Sequence, residues 1–265
     1  MTSTRTDRRL ALTIGAILSA FFVLGSAIQV ASWTIGSVEK RQVVRLGAAE
    51  IPGPVDQVMI DARSADVTLV ASQTGEVVID SRASGTLHTP KLEVHPDGSR
   101  VEVNGGCPDV TFGHCSAEIV VHVPAKTAVS LTAGSGDIVA DGLQGNVNLR
   151  TASGDVSATN LHSAVVALRS SSGDVAISQV ESAHLSARSN SGDVTVELGN
   201  VPETVEARTN SGDVAIIVPP GDQPYRVDAE TNSGDRNVGV STSSTSNNVL
   251  SAHTHSGDVT IDYGP

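Results

Sequence analysis

Aromatic side chains are almost absent from this chain: one Trp, two Tyr and three Phe in 265 residues. Past residue 45 only Phe112, Tyr225 and Tyr263 remain, which leaves no platform for stacking neutral sugar rings. Basic residues are scarce as well. Beyond Arg45, 11 Lys+Arg stand against 27 Asp+Glu, a formal charge of −16. That balance excludes a nucleic-acid groove and disfavours adsorption to an anionic membrane surface. There is no Gly-x-Ser-x-Gly elbow, no His-Glu-x-x-His and no phosphate-cradling glycine loop, and the eight histidines are scattered.

Cysteine is limited to Cys107 and Cys115, within Gly-Gly-Cys-Pro-Asp-Val-Thr-Phe-Gly-His-Cys. Two thiolates and His114 would make an incomplete zinc site. Outside the cytoplasm the expected outcome is a Cys107–Cys115 disulfide closing a small loop.

The one long uncharged run is Leu10 to Val30, about the length that spans a bilayer core. Trp33 follows at an interface position, and Arg8 and Arg9 abut the other end, favouring an N-terminus inside. A cleavable signal peptide is the rival reading, since Gly25-Ser26-Ala27 and Val30-Ala31-Ser32 supply small residues. Neither is a good cleavage site, and the run exceeds a signal core, so the reading adopted is an uncleaved single-pass anchor. The flanks of Arg8-Arg9 match a twin-arginine signal poorly, and no cysteine follows the run to take a lipid.

What the chain has in abundance is Ser-Gly-Asp. It occurs seven times, with aspartates at Asp137, Asp155, Asp174, Asp193, Asp213, Asp235 and Asp258, spaced by 18 to 23 residues. A period of that size marks stacked supersecondary units. Eight and six residues before each aspartate stand apolar pairs such as Val147/Leu149 and Val166/Leu168, and one and three residues after it pairs such as Val156/Ala158 and Val175/Ile177. This alternation is strand spacing, and the glycine admits a backbone conformation closed to other residues. Each period therefore reads as strand, corner, strand and variable return: one coil of a parallel β-solenoid, right-handed as most parallel coils are.

Upstream, Asp66 with Val58, Ile60, Val67 and Leu69, and Asp109 with Val101, Val103, Val110 and Phe112, read as degenerate coils. Val77 to Asp80, Leu92 to Val94 and Ile119 to Val123 lie off the period and predict a less regular β cap, which solenoids need. The expected layout is a cytoplasmic tail (1–9), the anchor (10–30), a linker (31–45), an irregular cap (46–126) and the regular solenoid (127–265). The final strand, Val259 to Asp262, is expected to be an exposed edge open to a second chain.

Three columns hold the candidate chemistry. Stacked at roughly 4.8 Å, the aspartates repel by roughly 0.9 kcal/mol per adjacent pair in water. Asp137, Asp155, Asp174, Asp193 and Asp213 are the candidates for a bridging Ca²⁺; the reading preferred is that each carboxylate caps amides in its own corner, with no cofactor. Arg150, Arg169, Arg188 and Arg208, each five residues before a corner aspartate, predict an exposed basic stripe able to hold a polyanion, ending at Glu230 and His253. Asn190, Asn210 and Asn232, with Thr/Ser residues four before the aspartates, read as structural ladders between coils. His253-Thr254-His255 puts two imidazoles on one strand face with no third metal ligand evident. Pro219 to Tyr225 and Ser241 to Asn248 read as extruded loops, with Tyr225 as a contact residue.

The anchor followed by Ser-Gly-Asp-Val repeats, from about Val58 to Ile261, resembles the bacterial putative-adhesin family of β-strand-repeat envelope proteins, a domain of unknown function. Arg236 departs from its pattern, replacing the apolar residue after a corner. The resemblance implies a membrane-anchored, adhesin-like binding or scaffold protein whose partner is a cell-envelope polymer. It also implies an alternative, an accessory of an envelope-stress system acting through a membrane-protein partner. A β-helix polysaccharide lyase or hydrolase is the lesser alternative.

Overall fold

Alternating burial along the strands follows directly from the apolar pairs of the sequence. The inward rows Val129/Leu131, Val147/Leu149 and Val166/Leu168 on one side, and Ile138/Ala140, Val156/Ala158 and Val175/Ile177 on the other, are all buried. In this computed structural model, which describes residues 38–46, 53–85, 90–107 and 115–264, the regular elements are all strands. Leu10 to Val30, Trp33, Asp109 and His114 lie outside the described residues. Among the described residues no helix is long and apolar enough to cross a membrane.

The cap region contains β1 (Val38–Leu46), β2 (Gln57–Asp61), β3 (Asp66–Ser72), β4 (Val77–Gly85), β5 (Lys91–Asp97), β6 (Arg100–Gly106) and β7 (Cys115–Pro124). Regular coils then follow as pairs: β8 (Ala128–Ser135) with β9 (Ile138–Asp141), β10 (Val147–Ser153) with β11 (Val156–Thr159), and β12 (Val165–Ser170) with β13 (Val175–Val180). Next come β14 (His184–Arg188) with β15 (Val194–Leu198), and β16 (Thr204–Arg208) with β17 (Val214–Val218). The last two are β18 (Arg226–Ser233) with β19 (Arg236–Val238), and β20 (Val249–Ser256) with β21 (Val259–Tyr263). First strands assemble one parallel sheet and second strands the other, giving a two-walled β-solenoid with its aliphatic core between the walls.

Both ends depart from sequence order. At the C-terminal end the walls run β17-β21-β19 and β16-β20-β18, so the last coil is inserted beneath the one that precedes it. Val259 to Asp262, expected as an edge, is therefore paired on both sides, with Val214 to Ile217 below and Arg236 to Val238 above. At this end of the described residues the open edges are β18 and β19. That explains Arg236. It occupies an inward register position opposite Val259 but lies on the outermost coil, is exposed, and donates from a guanidinium nitrogen to the Ala229 carbonyl at 3.3 Å. An inward-pointing charge on an edge strand discourages further strand addition.

The N-terminal end shows the same inversion. The coil β2–β3 stacks directly on β8–β9, and β6–β7 lies outside it. The second strand of that outer coil is Cys115–Pro124, with Glu118 opposite Asp66 and Ile119 opposite Val67, and not Val110 and Phe112 beyond Asp109. Ile119, Val121 and Val123 look off the period because more residues separate them from Val101 and Val103 than a Ser-Gly-Asp corner would; a disulfide joins Cys107 and Cys115, with Cα atoms 5.8 Å apart. Antiparallel β4 and β1 extend one wall and antiparallel β5 the other. Residues 38–45, expected as linker, belong to β1, which pairs with β4 from Val38↔Gly85 to Leu46↔Val77 and is tied to it by Arg41–Asp80 at 2.7 Å.

Candidate functional site

At each corner the glycine has φ between 117° and 147°. A Cβ on Gly173 would come within 2.1 Å of the Gly154 carbonyl oxygen, so glycine is required both by conformation and by the approach of the next coil. The aspartate beside it does not cap its own corner. Its Oδ1 accepts the backbone N–H of the aspartate on the adjacent coil, as in Asp155 N–H to Asp137 at 2.9 Å and Asp174 N–H to Asp155 at 2.8 Å. The ladder starts at Asp66 and runs through Asp137, Asp155, Asp174, Asp193, Asp213 and Asp258 to Asp235. This corrects the reading of own-corner caps. The amides of the flanking residues point up the stack, as Val156 N–H does to the Asp174 carbonyl, whereas the aspartate amide points down and needs an acceptor there.

Hydroxyls complete the corner. Ser170, Ser189, Thr209 and Thr254 donate to the glycine carbonyls of the coil below at 2.7 to 2.9 Å. A hydrogen bond to a carboxylate stabilises by about 1.5–3 kcal/mol, so even the low end of that range offsets a repulsion of roughly 0.9 kcal/mol between neighbours. The Asp column thus stands on its amide bonds, with one oxygen of each stacked carboxylate committed. Among the described residues no three His, Cys, Asp or Glu are grouped to hold a metal ion.

The arginine stripe is in register: Arg150, Arg169, Arg188 and Arg208 are successive partners on β10, β12, β14 and β16, followed by His253 on β20 and Glu230 on β18. All four arginines are exposed. Glu206 pairs with both Arg188 and Arg208, while Arg150 and Arg169 have no carboxylate partner among the described residues. Alongside runs a second column in which Asn210 donates its Nδ2 to Asn190 Oδ1, and Asn232 Nδ2 lies 3.0 Å from His255 Nδ1. Between the two columns a shallow groove of about 470 Å³ opens on the wall.

Its far end holds one arrangement that the sequence did not single out. His253 Nε2 lies 2.9 Å from Ser251 Oγ, and Nδ1 lies 3.5 Å from Glu230, the order of a nucleophile, a base and an orienting acid. Asp228 Oδ2, however, is 3.2 Å from the same Nε2. The nitrogen that would take the serine proton thus also faces a carboxylate, and the cluster bridges β20 and the outermost coil. Its components come from register partners on β18 and β20, which the period sets side by side, but the row five residues before each aspartate does not reveal that Ser251 and Asp228 converge on His253.

Tyr225 is not a contact residue. It is fully buried, its backbone bridges to Ser241 and Ser243, and its hydroxyl has no hydrogen-bond partner. Burial, with Tyr263 nearby, pushes its phenol above the usual tyrosine range. The two return loops fold onto each other around it, because a large apolar ring closes the core where the last coils cross over.

The fold has solved relatives. A putative adhesin from Bacteroides fragilis is 15% identical with a TM-score of 0.50, the match covering 86% of this chain and 97% of that one. A putative cell adhesion protein from Clostridium sporogenes is 14% identical with a TM-score of 0.41, covering 86% and 100%. No curated protein matches the chain. The model of the family described as Toastrack DUF4097 matches residues 55–262, and the chain belongs to that family.

Proposed function

We propose that this protein is a membrane-anchored, extracytoplasmic binding or scaffold protein of adhesin type, without catalytic activity. The observation that carries the reading is the division of labour on the walls. Corner carboxylates and hydroxyls are consumed by bonds between coils, whereas the Arg–Asn groove leaves its donors facing outward on a rigid surface. The Cys107–Cys115 disulfide fits an oxidising compartment, and the name adhesin attached to the Bacteroides fragilis relative agrees.

The apolar run ends only a few residues before β1, which edges the N-terminal end of one wall. An anchor there holds the cap next to the bilayer and projects the groove outward.

The test is co-sedimentation of the purified full-length chain with isolated cell envelopes, paired with protease accessibility of the solenoid on intact cells. Saturable sedimentation and surface cleavage are expected. A chain that stays in the supernatant, or is cleaved only after lysis, overturns the reading. Incubation with activated esters and envelope glycans is expected to give no turnover; hydrolysis lost in Ser251→Ala would reassign the Ser251–His253–Glu230 cluster as catalytic.

A further inference from the structure

The groove between the arginine and asparagine columns has a direction, and that direction identifies a ligand class. Both columns run along the stack, across the strands: arginine donors recur at four successive coils, roughly 4.8 Å apart, with Arg169, Arg188 and Arg208 lining the groove, Arg150 continuing the row past its end, and Asn190 and Asn210 standing beside the last two arginines. We propose that the groove binds a linear polymer carrying an anionic group on each repeat, laid along the stack with successive anions meeting Arg150, Arg169, Arg188 and Arg208. This rests on the binding reading above and names the ligand of that same site.

Charge placement selects an anion. Four of the 11 cations beyond Arg45 stand in this one row, and the groove lining contains a single carboxylate, Glu230, within an otherwise acidic domain. A basic strip on an acidic body focuses anions onto itself. The row is also not neutralised as a purely structural ladder would be. Among the described residues only Glu206 reaches it, and it braces Arg188 and Arg208 from the flank. Each guanidinium carries five N–H donors, so one ion pair leaves a fork free for a bidentate contact. Arg150 and Arg169 are uncommitted to any carboxylate among the described residues. The carboxamide of Asn190 accepts from Asn210 through its oxygen, which leaves the Asn190 N–H groups as further donors.

The same features set the length of the site. Asp228 and Glu230, held against His253, close the distal end with negative charge. The polymer therefore extends from Arg208 toward Arg150 and engages four repeats before it meets Thr132 at the next register position.

The experiment titrates the full-length chain in neutral detergent with oligogalacturonates and with oligophosphates of two, four and eight repeats, using neutral dextran oligomers as a blank. Expected results are affinity that climbs to about four repeats and then levels off, and a log K that falls linearly with log salt. Whether the carboxylate or the phosphate series binds identifies the source of the anion. Arg169→Glu is expected to weaken binding at least about tenfold, and Arg150→Glu with Arg169→Glu to abolish it. Arg226→Glu, the same charge change on the outermost coil, should leave it unchanged. Arg169→Gln serves if the charge reversal disturbs folding as judged by circular dichroism. The inference is overturned by wild type binding neither series at low salt, by length-independent affinity, or by Arg226→Glu costing as much as Arg169→Glu. Envelope sedimentation that survives in the double variant sinks this inference alone, whereas envelope sedimentation absent from wild type sinks the binding reading itself.

Discussion

In the regular stack a corner takes three residues, and every coil closes with the same glycine conformation and the same carboxylate-to-amide bond, joined in every coil after the first by the same hydroxyl-to-carbonyl bond. In the outer cap coil β6 and β7 are linked by a covalent bond between Cys107 and Cys115, and the residue at the aspartate position is Glu118. Where neighbours are copies of one another, weak bonds can be tiled, because each coil presents the acceptors that the next one needs. Where the neighbour on one side is an antiparallel strand, as β4 is to β7, tiling fails and a local crosslink substitutes.

Glycine substitutions should separate the two regions most sharply. Gly173→Ala forces a side chain at φ 145° against the Gly154 carbonyl and is expected to cost about 3 kcal/mol in urea unfolding. Gly75→Ala, in the cap turn with open space around it, should stay within about 0.5 kcal/mol of wild type. Equal losses at both sites would dissolve the distinction.

Next in size is the crosslink. Cys107→Ser with Cys115→Ser frees a short loop, with a separation of 8 residues, and should lower stability by about 2–3 kcal/mol. Hydrogen exchange should localise the loosening to β6 and β7, leaving β12 to β17 protected.

Asp174→Ala removes the acceptor of the Asp193 amide and should cost about 1–2 kcal/mol, whereas Asp174→Asn, which keeps an oxygen there, should recover part of it. Glu118→Ala at the equivalent cap register should be close to neutral, a contrast readable from denaturation midpoints.

The smallest effect is expected at Arg41–Asp80, an exposed pair in the cap. The bond from Arg41 holds the Asp80 carboxyl below the usual range. A carboxyl lowered on folding stabilises above its unfolded range and loses that contribution as pH falls through the folded value. Arg41→Ala should therefore sit slightly below wild type at pH 7, and the two thermal midpoints should converge in strong acid.

Strand identity, corner positions and the arginine stripe were legible because alternation and period report which face a residue occupies and how far it lies from a turn. Stacking order was not. Successive coils present nearly the same apolar rows, so the period does not say which of the last two rests on Val214, and only Arg236, unfit for a sandwiched position, marked its coil as outermost. Tyr225 was misplaced for a related reason: a loop extruded from an ordinary coil is exposed, but this one crosses over another coil and closes the core. Glu230 and His253 are register partners on β18 and β20, adjacent in either stacking order, and what the repeat did not reveal is that Ser251 and Asp228 converge on the same imidazole.

The inverted order of the last two coils also bears on how the chain is made. The ribosome delivers it N-terminus first, so residues 226–238 emerge before residues 249–263, yet the surface on which they rest is built by the later segment. Growth of the stack by simple addition stops at β17, and the penultimate coil waits until the terminus slides beneath it. Residues 249–263 are thus a keystone: a nascent chain lacking them would leave β16 and β17 bare and β18 and β19 with nothing to lie on.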